Sequence, residues 1–154
     1  MMEIREKTNT DDVAEVVTLA TEDLRRVYRR APTIDGFSSL DAEQEVVSLV
    51  AVERSVIVGV VEYCREADSL YIRGLAVHPQ KRRSGVGKAL VREVEAIATR
   101  EGKPKVTLST IKETGNPRIF ERLGYCSFNE VTATGFESLD GKPVTKVDMV
   151  RMLA

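Results

Sequence analysis

Residues 48–79 hold three runs of strand chemistry, SLVAVERS (48–55), VIVGVVEYCRE (56–66) and SLYIRGLAVHP (69–79), parted only by short polar turns. β-Branched and aromatic residues in runs of this length suit a pleated surface. Turns this short join antiparallel neighbours, because a parallel pair needs a crossover of a dozen or more residues. The order of elements is therefore mixed α and β, with a sheet expected to be mostly antiparallel at its start and end. Gly74 interrupts the third run, which marks a bulge or a close backbone approach.

The flanking segments supply further strands and the helices that cover them. Residues 2–7 alternate apolar and charged side chains, and Thr8 to Asp12 offer helix-capping groups before Val13, Val16, Val17 and Ala20 at helical spacing. That pattern continues or restarts through Leu24, Val27 and Tyr28, and a further short helix is expected over residues 41–46. Residues 31–40, with Pro32, Gly36 and paired serines, read as the one long loop. Downstream, Leu90, Val91, Val94, Ile97 and Ala98 share one helical face, Arg100 sits in the last turn and Gly102 is the stop. Residues 105–110 form a strand, and Asn116 reads as an N-cap with Pro117 at the first helical position of a helix ending at Gly124. Strands over 127–137 and 144–152 flank the turn Asp140-Gly141-Lys142-Pro143. The expected fold is mixed α/β, with about seven strands, about four helices and a single domain spanning 1–154.

Composition narrows the functional classes. A chain of 154 residues with 42% hydrophobic and 31% charged side chains is large enough for a proper core and too apolar for disorder. Its formal net charge of −1 gives no global field toward nucleic acid or anionic membrane. No run approaches the ~18 apolar residues of a membrane helix, and the polar N-terminus lacks a secretion signal, so a cytoplasmic protein is expected. Cys64 and Cys126 have no metal-ligand spacing and are expected as small core residues. No metal is anticipated, and a homodimer is the oligomer to expect first.

The segment HPQKRRSGVGKAL, residues 78–90, carries the chemistry. A helix N-terminus presents unpaired amides and a positive dipole end, both suited to a pyrophosphate. Gly85 and Gly87 would let the backbone close on phosphate oxygens, while Arg82, Arg83 and Lys88 add charge and Ser84 and Val86 complete the loop. Taken alone the segment is equally a tight turn with a solvated basic patch. The third glycine of a G-x-G-x-x-G dinucleotide loop is missing.

The pattern R-x-x-G-x-G (Arg82, Gly85, Gly87) after LAVHP, with the later FERLGY (residues 120–125), resembles the two cofactor motifs of the GCN5-related N-acetyltransferase (GNAT) superfamily. With the order of strands and helices, the resemblance spans nearly the whole chain. It implies a mostly antiparallel sheet splayed between its fourth and fifth strands, with backbone near Leu75, Ala76 and Val77 binding the pantetheine of acetyl-CoA. An amide beside Val77 would polarise the thioester carbonyl. The implied reaction is direct transfer of an acetyl group to a primary amine of a small molecule or peptide, without a covalent enzyme intermediate. Glu62 and Tyr71 are the candidates for catalytic proton transfer, each weighed against an ordinary role as a strand residue. The only histidine, His78, is expected to be structural. Two positions depart from the pattern: Phe120 stands where many members carry a tyrosine that protonates the departing thiolate, and Asn116 is displaced from the usual asparagine, which leaves it a weaker cofactor contact. Phe120 also motivates an alternative, an acyl-CoA-binding regulatory module with little or no transferase activity.

Overall fold

The three central runs pair as expected, and the rest of the sheet grows from them in both directions. The structure is a computed structural model that describes residues 2–30 and 45–153. Its elements are β1 (Met2–Glu6), α1 (Ala14–Leu24), β2 (Tyr28–Arg30), β3 (Val46–Glu53), β4 (Val56–Arg65), β5 (Ser69–Val77), α2 (Val86–Arg100), β6 (Lys105–Ile111), α3 (Asn116–Arg122), β7 (Cys126–Ser138) and β8 (Pro143–Met152). Short 3-10 turns cover Pro79–Lys81 and Lys112–Thr114. The strands form one sheet in the order β1-β3-β4-β5-β6-β8-β7-β2. Among the described residues only β5 and β6 pair in parallel, across the crossover helix α2.

Among the described residues there are thus eight strands and three α-helices, against the seven and four expected. The added strand is β2. The spacing of Leu24, Val27 and Tyr28 predicts that the helical pattern continues or restarts there, but α1 ends at Leu24 and a turn with Val27 N–H on Leu24 O (3.0 Å) reverses the chain. Tyr28 then pairs with Ser138, packs edge-on against Phe136 (centroids 5.5 Å apart), and Arg29 meets Glu137 at 3.1 Å. The expected loop over 31–40 and most of the helix over 41–46 lie outside the described residues; Val46 itself opens β3.

One face of the sheet carries α2 and the larger core. Val86, Leu90, Val91, Val94 and Ala98 are all buried on α2 against Val61, Leu70, Val106, Val147 and Met149 of the sheet. Each of the valine, leucine and methionine side chains contributes about 1.5–3 kcal/mol on burial. Close packing here depends on Gly59 in β4, where an added Cβ would lie 2.8 Å from Val86 Cγ1 and 3.0 Å from Leu90 Cδ1. The same face holds one buried carboxylate, Glu95, which is 5% exposed. It accepts hydrogen bonds from Arg92 (2.9 Å), Arg151 (2.5 Å) and the Tyr125 hydroxyl (2.8 Å), so its charge is compensated where it is desolvated.

The opposite face carries α1 over a smaller cluster of Val16, Val50 and Val60. The start of α1 is set by the acidic run before it: Asp12 Oδ1 accepts from the Ala14 N–H (2.9 Å), and Asp11 holds Arg5 (2.7 and 3.0 Å) and the Thr8 N–H (2.7 Å). Two local expectations are corrected. Gly115, not Asn116, is the N-cap of α3, and the Asn116 N–H donates to Thr114 Oγ1 (3.1 Å). Cys64 is buried but Cys126 is exposed, because β2 meets only the far end of β7 and leaves its first half beside solvent.

Candidate functional site: a splayed sheet at a helix N-terminus

The site arises where β5 and β6 stop pairing. Their parallel ladder joins Ser69–Ile72 to Lys105–Leu108 and ends there, although β5 runs on to Val77. The divergence begins beside the irregularity in β4–β5, where Glu62 pairs with Gly74 and Tyr63 with Ile72, leaving Arg73 as the extra residue. This is the bulge that Gly74 marked. A bulge bends its strand and sharpens the twist, which turns the end of β5 away from β6.

The opened edge exposes particular backbone groups. The His78 N–H donates to Val58 O on β4 at 2.9 Å. By the alternation of an antiparallel ladder, Ala76, paired with Val60, also turns its N–H and C=O toward β4, whereas Leu75 and Val77 turn theirs into the gap. Of the three residues named from the resemblance, the geometry thus presents Leu75 and Val77 to the gap and commits Ala76 to the ladder.

Beyond Val77 the chain makes a 3-10 turn capped by His78, whose Nδ1 accepts from the Gln80 N–H (3.2 Å), while its Nε2 lies 3.8 Å from Glu15. Lys81 pairs with Glu53 at 2.6 Å, and Arg82 pairs with Asp23 of α1. The Ser84 hydroxyl donates back to Lys81 O. Arg83 and Gly85 both take positive φ, 65° and 88°. Those two reversals aim the start of α2 at the gap, so the amides of Val86, Gly87 and Lys88, which have no acceptor one turn earlier, point outward from the sheet's open edge. Nothing lies within 4 Å of a Cβ built on Gly85, so its requirement is conformational; at Gly87 the nearest atom would be Val77 Cγ2 at 3.5 Å, facing the gap. Arg83 and Lys88 are exposed beside these amides. An extended anion bearing oxygens at one end and amides along its length matches this arrangement of donors.

On the α1 side the gap opens into a cavity of about 800 Å³. Glu62, Tyr71, Asn116 and Phe120 all line it. Glu62 is part-buried, accepts from Ser48 Oγ (3.4 Å), and its Oε1 lies 3.6 Å from where a Cβ would stand on Gly74. The absence of a side chain at Gly74 therefore leaves the carboxylate open to the cavity. Phe120 packs edge-on to Tyr125 (6.1 Å, 73°), and the Tyr125 hydroxyl is held by Glu95 in the core. Burial and then the neighbouring Glu95 push that hydroxyl well above the ordinary tyrosine range, and it is not among the groups that line the cavity.

Several cavity residues escaped the sequence reading. Ser109 of β6 lines the cavity and donates to Asp148 (2.6 Å), which also accepts from Asn129 (3.0 Å). Burial pulls the Asp148 carboxyl upward, but those two donors and Lys146 outweigh it and hold it below the usual carboxylate range. Arg73 and Lys146 also reach the wall. Arg73 was legible as the neighbour of the bulge glycine, whereas Ser109 and Lys146 meet only through the pairing of β6, β8 and β7. Among the described residues, no group of three or more His, Cys, Asp or Glu side chains could hold a metal, and no helix is long and apolar enough to cross a membrane.

Comparison with known proteins agrees with this geometry. The sequence profile described as the acetyltransferase (GNAT) family matches residues 13–125. No curated protein sequence matches the chain. Among solved structures, the chain is similar to a GCN5-related N-acetyltransferase from Kribbella flavida (17% identity, TM-score 0.72, covering 99% of this chain and 98% of that one). It is also similar to the ribosomal-protein-S18-alanine N-acetyltransferase of Escherichia coli (14% identity, TM-score 0.71, covering 100% and 95%). A third similar structure is an aminoglycoside 6'-N-acetyltransferase complexed with coenzyme A (15% identity, TM-score 0.70, covering 97% and 96%). A profile match over residues 13–125, running from α1 through the bulge, the glycine loop and the Phe120 helix, places this chain in the acetyltransferase (GNAT) family.

Proposed function

We propose that this protein is a cytoplasmic, single-domain N-acetyltransferase that moves an acetyl group from acetyl-CoA to a primary amine by direct attack. The observation that carries the reading is the convergence of two donor sets: the free amides that open α2 and the unpaired backbone of Leu75 and Val77 along the gap. The family's solved relatives, one of them holding coenzyme A, support it.

In this reading the amides of Val86, Gly87 and Lys88 receive the pyrophosphate, with Arg83 and Lys88 adding charge and Ser84 and Gly85 shaping the turn. Arg82 contributes by tying the loop to α1 through Asp23. Leu75 and Val77 bind the amides of the pantetheine arm, and the Val77 N–H stabilises the oxyanion as the amine adds to the thioester carbonyl. Glu62, directly or through a water, takes the amine proton, which is needed because an alkylamine with a pKa near 10.4 is mostly protonated at neutrality. The C–N bond forms, the C–S bond breaks, and a thiolate leaves. Its reference pKa of about 8.5 makes it a tolerable leaving group without an acid at Phe120. Tyr71 lines the same cavity and is the remaining hydroxyl for proton traffic. Phe120 and Asn116 form the wall near the departing sulfur. Phe120, together with the commitment of Tyr125 to Glu95, favours the second reading, a module that binds acyl-CoA and turns over slowly or not at all.

Two measurements test the proposal. Thiol release from acetyl-CoA across a broad amine panel detects transfer; thermal stabilisation by CoA without turnover on any amine would select the second reading. Gly85→Asn tolerates the left-handed backbone, whereas Gly85→Asp adds a negative charge at the same place. CoA binding at least tenfold weaker for the aspartate than for the asparagine variant is expected. Equal affinity would overturn the assignment of the loop.

A further inference from the structure

The reading above leaves the acceptor open, and the inference here rests on that reading. Arg73 lines the cavity, is exposed, and has no hydrogen-bond or ion-pair partner among the described residues. It is the extra residue of the bulge, one position before Gly74, and Gly74 pairs with Glu62. A free guanidinium and the candidate base therefore stand on neighbouring rungs of the β4–β5 ladder. Arg73 lies four residues from Val77, about 13 Å along an extended strand, so the α2 amides serve the cofactor phosphates at the other end of the open edge. Arg73 is not needed there.

The rest of the wall has the same sign. Lys146 lines the cavity with Arg73, while Glu62 is the one carboxylate among its described lining residues. Lys146 shares Asp148 at 3.5 Å, but that carboxylate already accepts from Ser109 and Asn129. This excess is local, since the chain as a whole carries −1. A polycationic amine would be repelled by such a wall, whereas an amine that also carries an oxyanion would place its anion on the guanidinium fork and its amine toward Glu62.

We infer that the acceptor is an amine bearing an oxyanion, carboxylate or phosphate, which Arg73 binds and thereby orients the amine toward Glu62. The bulge then has two effects: it opens the sheet for the acyl donor and presents the residue that selects the acceptor.

Matched acceptors test this. Acetyl-CoA-dependent thiol release is measured with α-amino acids, with their amides, and with the corresponding amines lacking the acidic group; 2-aminoethyl phosphate is the phosphate arm. The expected kcat/KM is at least about tenfold higher for the acid than for its amide, the effect of one charge-assisted contact. In Arg73→Gln that preference collapses, and Lys146→Gln reduces it less. Higher activity of 2-aminoethyl phosphate than of the amino acids would assign the site to phosphate. Amides or plain amines equal to the acids, or an Arg73→Gln loss equal for acid and amide, would overturn the inference. Binding of N-acetyl amino acids and their amides to the CoA-loaded protein, followed by calorimetry, reads the anion site without catalysis. If nothing is acetylated but N-acetyl amino acids still bind and Arg73→Gln weakens them about tenfold, the transferase reading fails and the anion site stands. If they do not bind, the anion site fails as well.

Discussion

Replacing Gly59 by alanine should damage cofactor binding from beneath the sheet. The new Cβ would stand 2.8 Å from Val86 Cγ1, 3.0 Å from Leu90 Cδ1 and 3.3 Å from Ala76 O. Carbon atoms rest at about 3.5–4.0 Å, so the first of these contacts is roughly 1 Å too close. The Ala76 carbonyl is fixed in the ladder with β4, and the helix is the part that must retreat. Overpacking of this kind costs about 1–3 kcal/mol. For a chain of this size each kcal/mol lowers Tm by roughly 2–4 °C, giving a fall of about 2–12 °C. Val86 is the first residue of α2, so the retreat also carries the outward amides away from Val77. A withdrawal of about half an ångström to one ångström lengthens N–H···O contacts beyond the useful range of 2.7–3.2 Å. Loss of one such bond to a phosphate costs about 1.5–3 kcal/mol, or a Kd raised at least tenfold. The assay is CoA titration calorimetry beside urea unfolding. Val94→Ala is the control: Val94 is fully buried two turns along the same helix, and its truncation costs on the order of 2 kcal/mol without moving the amides. If Gly59→Ala weakens CoA no more than Val94→Ala does, the argument that packing height sets the phosphate site is refuted.

Phe120→Tyr places a hydroxyl on the cavity wall while keeping the ring on Tyr125; thiol-release kcat should rise about tenfold, toward the 10²–10⁴ that general acid help provides, and an unchanged kcat would mean that the thiolate leaves unaided. Tyr125→Phe removes one of the donors that satisfy buried Glu95 and should lower urea stability by about 1.5–3 kcal/mol, while unchanged stability would show that the two arginines alone suffice. The Asp11 carboxyl is held well below the usual range, first by the Arg5 guanidinium and then by the Thr8 N–H. Such a depressed native pKa contributes stability above the ordinary aspartate value of about 3.9, lost as pH falls through the native value. Asp11→Asn should therefore shrink the acid limb of the stability profile, and an identical limb would contradict that assignment.

The parts of the molecule readable in sequence are those whose cause is local. The α2 helix announces itself through the spacing of Leu90, Val91, Val94 and Ala98, and the bulge through a glycine that no strand interior needs. β2 is hidden in the sequence because Leu24, Val27 and Tyr28 keep helical spacing, while its strand character depends on Phe136 and Glu137, more than a hundred residues away. Asn116 looked like a cap because it precedes proline, yet the left-handed turn falls on Gly115. Cys126 reads as a small core residue because, like Cys64, it has no metal-ligand or disulfide-framework spacing, and only the order of strands reveals that this end of β7 borders solvent. In the candidate site, Glu62, Tyr71 and the loop were visible as residue types. Which backbone groups of β5 face the gap, and that Arg73 and Lys146 share one cavity, follow from register.

The short ladder between β5 and β6 has a mechanical consequence. It divides the sheet into two four-stranded leaves, β1-β3-β4-β5 and β6-β8-β7-β2, stitched by only the four residue pairs from Ser69↔Lys105 to Ile72↔Leu108. Such a seam acts as a hinge, and small rotations about it change the width of the gap more than they change either leaf. A molecule lodged between Val77 on one leaf and Phe120, which follows the other leaf's first strand, would bolt the two together. Hydrogen exchange along the edges of β5 and β6 should then slow on CoA binding more than exchange within either leaf.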